Sequence, residues 1–288
     1  MMKIGKCEIG NGSPVFIMAE LGINHNGDLD LAKKLIVAAK EAGCDAVKFQ
    51  KRTIEIVYTK EELAAPRDNP FGPTNGHLKR GLEFSLEAYQ EIDRFCKEQG
   101  IMWSASPWDE DSVDFLKQFD VPYYKIAAAS LTDSGLLKKI NSTGKPVIMS
   151  TGMSELSEID KAVQFLDKNN LLIMRCVSQY PATPENIHLR AMQTLRERYG
   201  VPVGYSGHEL DTVISAAAVG MGACAVERHF TLDRKMWGSD HKASIEPEEM
   251  KELVKNIRLV EQALGEATPR CLPVEEPVKA KLRRVDNL

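Results

Sequence analysis

The sequence predicts an α/β protein folded as a single (β/α)8 TIM barrel. Three observations predict it. Short apolar runs alternate with amphipathic stretches eight times in series. The apolar runs are nearly unbroken, as in parallel strands buried on both faces. No GxGxxG follows the first run, which weighs against an open dinucleotide-binding sheet. The length of 288 residues suits one such barrel, which typically needs about 250.

The first unit pairs a strand at 15–20 with a helix at 28–43, whose apolar positions repeat at i, i+3 and i+4. Asp28 or Asp30 caps its start and Gly43 ends it. The second pairs 45–50 with a helix at 85–100, closed by Gly100. The remaining strands are expected at 101–107, 122–130, 145–153, 170–179, 201–208 and 223–230. Their helices are expected at 109–120, 134–144, 156–169, 189–200, 212–222 and 246–265. Residues 1–265 then form the catalytic barrel, and 266–288 a charged, proline-containing C-terminal extension. One segment, 51–85, breaks the rhythm as a long loop rich in Pro, Gly and Asn. Loops of that length in compact domains usually serve as lids or binding segments.

Composition narrows the function classes. Hydrophobic residues make up 43% and charged residues 27%, a soluble globular balance. A net charge of −4 gives no reason to expect nucleic acid as a partner. Nor is a membrane partner expected, because no apolar run is long enough to span one. The N-terminus lacks the apolar core of a secretory signal, and the six cysteines form no CxxC pair. A cytoplasmic location with reduced cysteines is expected.

In such barrels the chemistry sits at the C-terminal strand ends. Here those ends are polar. Glu20 closes strand one, Lys48 and Gln50 strand two, Ser104 and Ser106 strand three. Lys125 lies on strand four, Ser150 and Thr151 end strand five, and Ser178, Gln179 and Tyr180 end strand six. Ser206 and His208 end strand seven, and Glu227, Arg228 and His229 end strand eight. Lysines and hydroxyls suit a phosphate and a carboxylate. His208 and His229 come from neighbouring strands and could share one divalent metal, with water and substrate filling the remaining positions. Each residue also has a plainer reading. A strand-end lysine can simply be solvated, a histidine or serine can be a hydrogen-bonded turn residue, and His25 can shape the turn after strand one.

Several segments closely resemble those of bacterial N-acetylneuraminate (sialic acid) synthases and their legionaminic and pseudaminic relatives. They are AELGINHNG, VKFQ, STGM, CVSQYPATPE, GYSGHE, ERHFT and GSDHKASIEPEEM, in order along nearly the whole chain. The resemblance implies a metal-dependent condensation of phosphoenolpyruvate with an N-acetylmannosamine-like amino-sugar aldehyde, with release of phosphate. It implies His208 and His229 as metal ligands, with Mn the expected ion and Mg or Co as alternatives. It implies Glu20, Lys48 and Lys125 as catalytic residues. Lys48, Ser106, Lys125, Ser150, Ser178 and Ser206 are implied to hold phosphoenolpyruvate, and Gln50, Tyr180 and Asp240 to meet the sugar.

Two departures stand out. After Lys125 the family often carries a serine, where this sequence has Ala127, Ala128 and Ala129, with Ser130 next. Many members also continue into a small antifreeze-like domain that supplies an arginine to the sugar. This sequence carries none, so either it is part of a longer chain or its site closes differently, the 51–85 segment being one candidate. A homo-oligomer stays an open expectation. The rival within the same chemistry is a 3-deoxy-sugar-acid phosphate synthase acting on a sugar phosphate. That would need a second phosphate site, and the sequence shows no extra Arg/Lys cluster for one; Arg52, Lys79 and Arg80 are the only candidates. The rival of another class is a catalytically silent, metabolite-binding barrel. The alanine run favours it, and the retained histidines, lysines and Glu20 oppose it.

Overall fold

The computed structural model describes residues 2–10 and 12–285. Eight parallel strands form its centre: β1 (Phe16–Gly22), β2 (Ala46–Lys51), β3 (Met102–Pro107), β4 (Tyr124–Ile126), β5 (Val147–Ser150), β6 (Leu171–Cys176), β7 (Val203–Gly207) and β8 (Ala225–His229). Their order in the sheet is β3-β2-β1-β8-β7-β6-β5-β4. The two end strands, β3 and β4, lie side by side, and the Ser104 hydroxyl donates to the Tyr123 carbonyl across that seam at 2.5 Å. The sheet is thus a barrel, as the sequence predicts.

A helix follows each strand: α1 (Leu29–Glu41), α2 (Leu86–Gln99), α3 (Glu110–Leu116), α4 (Ser134–Asn141), α5 (Leu156–Val163), α6 (Ala191–Tyr199), α7 (Val213–Gly220) and α8 (Pro247–Leu264). Local chemistry sets their ends. The Asp28 carboxylate accepts from the backbone N–H groups of Asp30 and Leu31, and Ser85, Asp109 and Asp133 cap α2, α3 and α4 in the same manner. Gly100 closes α2 with φ +65°, a left-handed conformation that side chains resist.

Side chains on a strand alternate between faces, and this positions the site. Outward residues such as Ile17, Val47, Ile173 and Val226 pack against the helices. Inward residues change character along each strand. Phe16 and Met18 lead to Glu20, Ala46 leads to Lys48 and Gln50, Ile148 to Ser150, and Ala225 to Glu227 and His229. The lower interior is therefore apolar and the upper interior polar. A hairpin of Met2–Ile4 and Cys7–Ile9 plugs the N-terminal end, adding Met2, Ile4 and Ile9 to the apolar interior. Its strands have three residues each, too few to signal in a sequence pattern.

Three expectations change in detail. Segment 51–85 is not an irregular loop. It holds short helices at Ile54–Val57 and Lys60–Ala64, a hairpin of Pro66–Asn69 and Gly72–Thr74, and a helix at Asn75–Leu82 capped by Thr74. Long segments without internal hydrogen bonding are rare in compact domains, and this one supplies its own. Strand four is only three residues long and yields to a 3-10 turn at Ala128–Ser130. In the 266–288 extension, Pro273–Glu275 and Glu276–Leu282 form an exposed helical stretch, and residues 286–288 lie outside the described residues. The cysteines are all free, and no helix among the described residues is long and apolar enough to cross a membrane.

Candidate active site

Every side chain singled out above for catalysis, phosphoenolpyruvate, sugar or metal lines one cavity of about 400 Å³ at the C-terminal mouth of the barrel. That volume falls in the range of small-molecule sites. The cavity has a floor and a rim.

The floor is a closed ion network. Lys48 pairs with Glu20 and donates to Ser106 Oγ at 3.0 Å. Gln50 Nε2 donates to Glu20 Oε1 at 2.8 Å. Lys125 donates to Ser150 Oγ at 2.6 Å. Between the lysines sits Glu227, 3.7 Å from Lys125 and 3.8 Å from Lys48, accepting from Ser206 Oγ at 2.9 Å. All four charged groups are buried. Two cations thus face two anions, the condition under which buried charge is tolerated.

The network sets the proton affinities. Burial opposes charge on Lys48, but Glu20 and Glu227 outweigh it and hold its pKa above the ordinary value. For Lys125 burial wins, and its pKa falls despite Glu227. Burial likewise works against the Glu227 carboxylate, yet Lys125 and Lys48 keep it ionised, with its pKa lowered. Glu227 is the residue that sequence reasoning passed over. It stood among the strand-eight end residues but received no role. The available signal was its spacing, two residues before His229 and so on the same face of β8. Arg228, between them, points the other way, to Glu209 at 3.2 Å and Ser215 at 3.0 Å.

Two histidines stand above the floor, with ring centroids 5.3 Å apart and Tyr180 packed against both. His208 Nδ1 lies 2.6 Å from the Val177 carbonyl. A carbonyl only accepts, so Nδ1 carries the hydrogen and Nε2 keeps a free lone pair. Burial, with His229 nearby, pushes the His208 pKa down to about 3, which leaves the ring neutral. His229 Nδ1 is buried with no hydrogen-bond partner, 3.8 Å from Asp240 Oδ2. Two neutral or unpartnered imidazole nitrogens on one wall suit an electrophile, and the backbone bond on His208 is the kind that orients metal-ligating rings. Among the described residues no three His, Cys, Asp or Glu side chains form a complete ligand set. Any metal here would need water or substrate oxygens as well.

Ser178 lines the cavity beyond Cys176, and a β-carbon on Gly152 would collide with its hydroxyl, so the glycine makes the room. Ala127, Ala128 and Ala129 form an apolar part of the wall, while Ser130 is buried outside the lining. No hydroxyl replaces the serine expected there. His25, in the turn after strand one, stacks on Phe84 at 4.1 Å and does not line the cavity.

The 51–85 segment builds part of the rim. Arg52, Tyr58 and Lys79 come from it, facing Trp108 and Ser239. Phe71 at its tip meets Trp237 edge to face at 6.3 Å, and Asn26 holds the Trp237 carbonyl at 2.8 Å. The loops after β1, β2 and β8 are thereby tied into one collar.

Known proteins resemble this chain in sequence and fold. Residues 35–269 match the NeuB family. N-acetylneuraminate-9-phosphate synthase of Homo sapiens is 41% identical over 95% of this chain and 78% of its own. N,N'-diacetyllegionaminic acid synthase of Legionella pneumophila is 39% identical over 96% of this chain and 80% of its own. The crystal structure of an N-acetylneuraminic acid synthetase from Leptospira borgpetersenii, in complex with citrate, superposes with a TM-score of 0.87 at 31% identity, covering 99% of this chain and 98% of that one. With a family match over most of its length and relatives near 40% identity across it, this chain belongs to the NeuB family.

Proposed function

We propose that this protein condenses phosphoenolpyruvate with the open-chain aldehyde of an N-acetylmannosamine-like amino sugar, giving a nonulosonic acid and inorganic phosphate. The observation that carries the reading is the buried Glu20–Lys48–Glu227–Lys125 network beneath two converging histidines. The names of its relatives, synthases of neuraminic and legionaminic acids, support the same chemistry.

Lys48 and Lys125, with Ser106, Ser150, Ser178 and Ser206, hold the phosphate and carboxylate of phosphoenolpyruvate. Those anions compete with Glu20 and Glu227 for the same ammonium groups. Substrate binding thereby frees Glu20 from Lys48 for its role at C2. The C3 methylene of phosphoenolpyruvate forms the new bond to the aldehyde carbon. Water adds at C2, Glu20 passes one of its protons to the former aldehyde oxygen, and the C2–O bond to phosphate breaks as the new C2 hydroxyl gives its proton to the leaving phosphate. His208 and His229 would hold a divalent metal, with Mn as the expected ion, which would supply Lewis acidity toward the aldehyde oxygen. Gln50, Tyr180 and Asp240 orient the sugar. A silent barrel would gain nothing from two buried ion pairs at its mouth, which are costly to bury and easily replaced by apolar residues.

The relatives include a synthase named for a 9-phosphate product and one named for an unphosphorylated acid, at 41% and 39% identity. Overall similarity thus does not select between the two acceptor classes, and the rim residues must.

The test is phosphate release from phosphoenolpyruvate with Mn, against N-acetylmannosamine, mannose, their 6-phosphates and a diacetamido-hexose. Release with one sugar, abolished by a chelator and restored by Mn, supports the reading. Binding of phosphoenolpyruvate with no release for any sugar overturns it.

A further inference from the structure

The cavity rim carries a second group of donors that the floor chemistry does not use. Arg52 is 9% exposed and stacks on Trp108, with its guanidinium carbon 4.3 Å from the ring centroid. It donates to Gln50 Oε1, the amide that in turn donates to Glu20. Its Nε and the Trp108 indole N–H are both buried without an acceptor. A buried donor left unpaired bears its full desolvation penalty, so such a pair calls for an acceptor. Lys79 lines the same wall, its ammonium 4.9 Å from the Tyr58 ring centroid and outside every ion pair among the described residues. Arg80, by contrast, turns away to Glu55 at 3.0 Å.

Charge separates rim from floor. The floor is balanced, with two lysines against two glutamates. Among the described residues, Glu83 pairs with both Lys51, at 3.2 Å, and Arg52, at 3.5 Å, and Lys79 is in no ion pair. Three cations against Glu83 and the cavity-lining Asp240 leave a surplus of one positive charge. Arg52 and Lys79 also border a small adjoining cavity with Ile23 and Leu82, so the wall has depth there. Unpaired donors and a surplus of positive charge match a phosphate monoester.

Position fixes which substrate carries it. Arg52 lies one side chain beyond Gln50, and Gln50 lies one beyond Glu20. The histidines and this wall line the same cavity, so an aldose whose aldehyde meets the histidines can turn its far end to the wall. We infer that Arg52, Lys79 and Trp108 form a phosphate subsite for an acceptor phosphorylated on its terminal carbon, so that the preferred sugar is a 6-phosphate. This rests on the synthase reading above and adds the acceptor class to it.

The experiment compares N-acetylmannosamine with its 6-phosphate in two measurements on the Mn-loaded protein. The first is kcat/KM with phosphoenolpyruvate. The phosphorylated sugar should exceed the free sugar by at least tenfold, and Lys79→Met should cut that ratio by about tenfold to a hundredfold, the weight of a hydrogen bond to a charged group. Arg52→Lys, which keeps the charge but loses the fork, should cut it also. A ratio of one or below, or one that both variants leave unchanged, overturns the subsite. The second is calorimetric binding of each sugar, which separates this inference from the synthase reading. If neither these two sugars nor any other of the panel above is turned over, the synthase reading fails. Tighter binding of the 6-phosphate that Lys79→Met weakens would still uphold the subsite, and equal binding of the two sugars would sink it.

Discussion

The two ends of this barrel are built from the same strands and do opposite work. At the N-terminal end the inward positions are Phe16, Met18, Ile148, Leu172 and Met174, sealed by the Met2–Ile9 hairpin. One or two inward positions further up, the same strands present Glu20, Ser150 and Cys176 to the cavity. The lower end buries apolar surface and contributes stability, about 25 cal/mol for each Å² removed from water. The upper end spends some of that stability to hold charges out of water. Substitutions should therefore separate cleanly, with activity lost at the mouth and stability lost at the plug.

The largest expected effect is at the mouth. Glu20→Gln keeps the shape and one acceptor oxygen toward its neighbours but removes the base, so kcat should fall by about 10²–10⁴-fold with the far-ultraviolet spectrum unchanged. A loss of only a few-fold would reduce Glu20 to a counterion for Lys48. The converse lies at the plug. Ile4 is fully buried, and Ile4→Ala should destabilise by about 2–5 kcal/mol in a denaturant titration. Its kcat at a temperature where the protein stays folded should match the parent. A drop in kcat alongside stability would mean that the plug shapes the floor network above it.

How much of this was legible in the sequence depends on how local the signal is. Strands buried on both faces leave apolar runs, so all eight were visible. Polar residues ending those runs marked the mouth, and period-two spacing put Lys48 with Gln50 and Glu227 with His229 on common faces. Partnership was not visible. Lys48, Lys125 and Glu227 come from β2, β4 and β8, and only barrel closure brings them within 4 Å. The same holds for Arg52 and Trp108, which stack across the ends of β2 and β3. The order inside segment 51–85 was hidden for another reason. Its elements are three to eight residues long, below the length at which periodicity declares itself.

His25 tests whether a residue at the mouth can belong energetically to the core. It is buried against Phe84 and Phe49, and its Nδ1 accepts the Gly27 N–H at 3.1 Å. Burial pushes its pKa down to about 3. The unfolded chain, by contrast, takes up a proton near pH 6.5. A depressed folded pKa on a base means stability is fully present above the unfolded pKa and is lost as pH falls toward 3. In His25→Phe that contribution disappears. Between about pH 6 and 4 the parent should lose about 1.4 kcal/mol per pH unit more than the variant. Parallel stability curves would show that His25 takes up a proton in the fold.

The smallest effect should come from the collar. Trp237 is 43% exposed and meets Phe71 through a single edge-to-face contact, worth about 0.5–1.5 kcal/mol beyond its area. It touches neither the floor network nor the two histidines through any bond described above. Trp237→Ala should therefore leave kcat within about twofold and raise the acceptor KM by about threefold to tenfold, as the 66–74 hairpin loosens from the loop after β8. Phe71→Ala should do the same, and the double variant should be no worse than either alone, because both remove one contact. Additive losses would mean that each ring meets the sugar separately, and the rim would then be a set of independent contacts, not one tied collar.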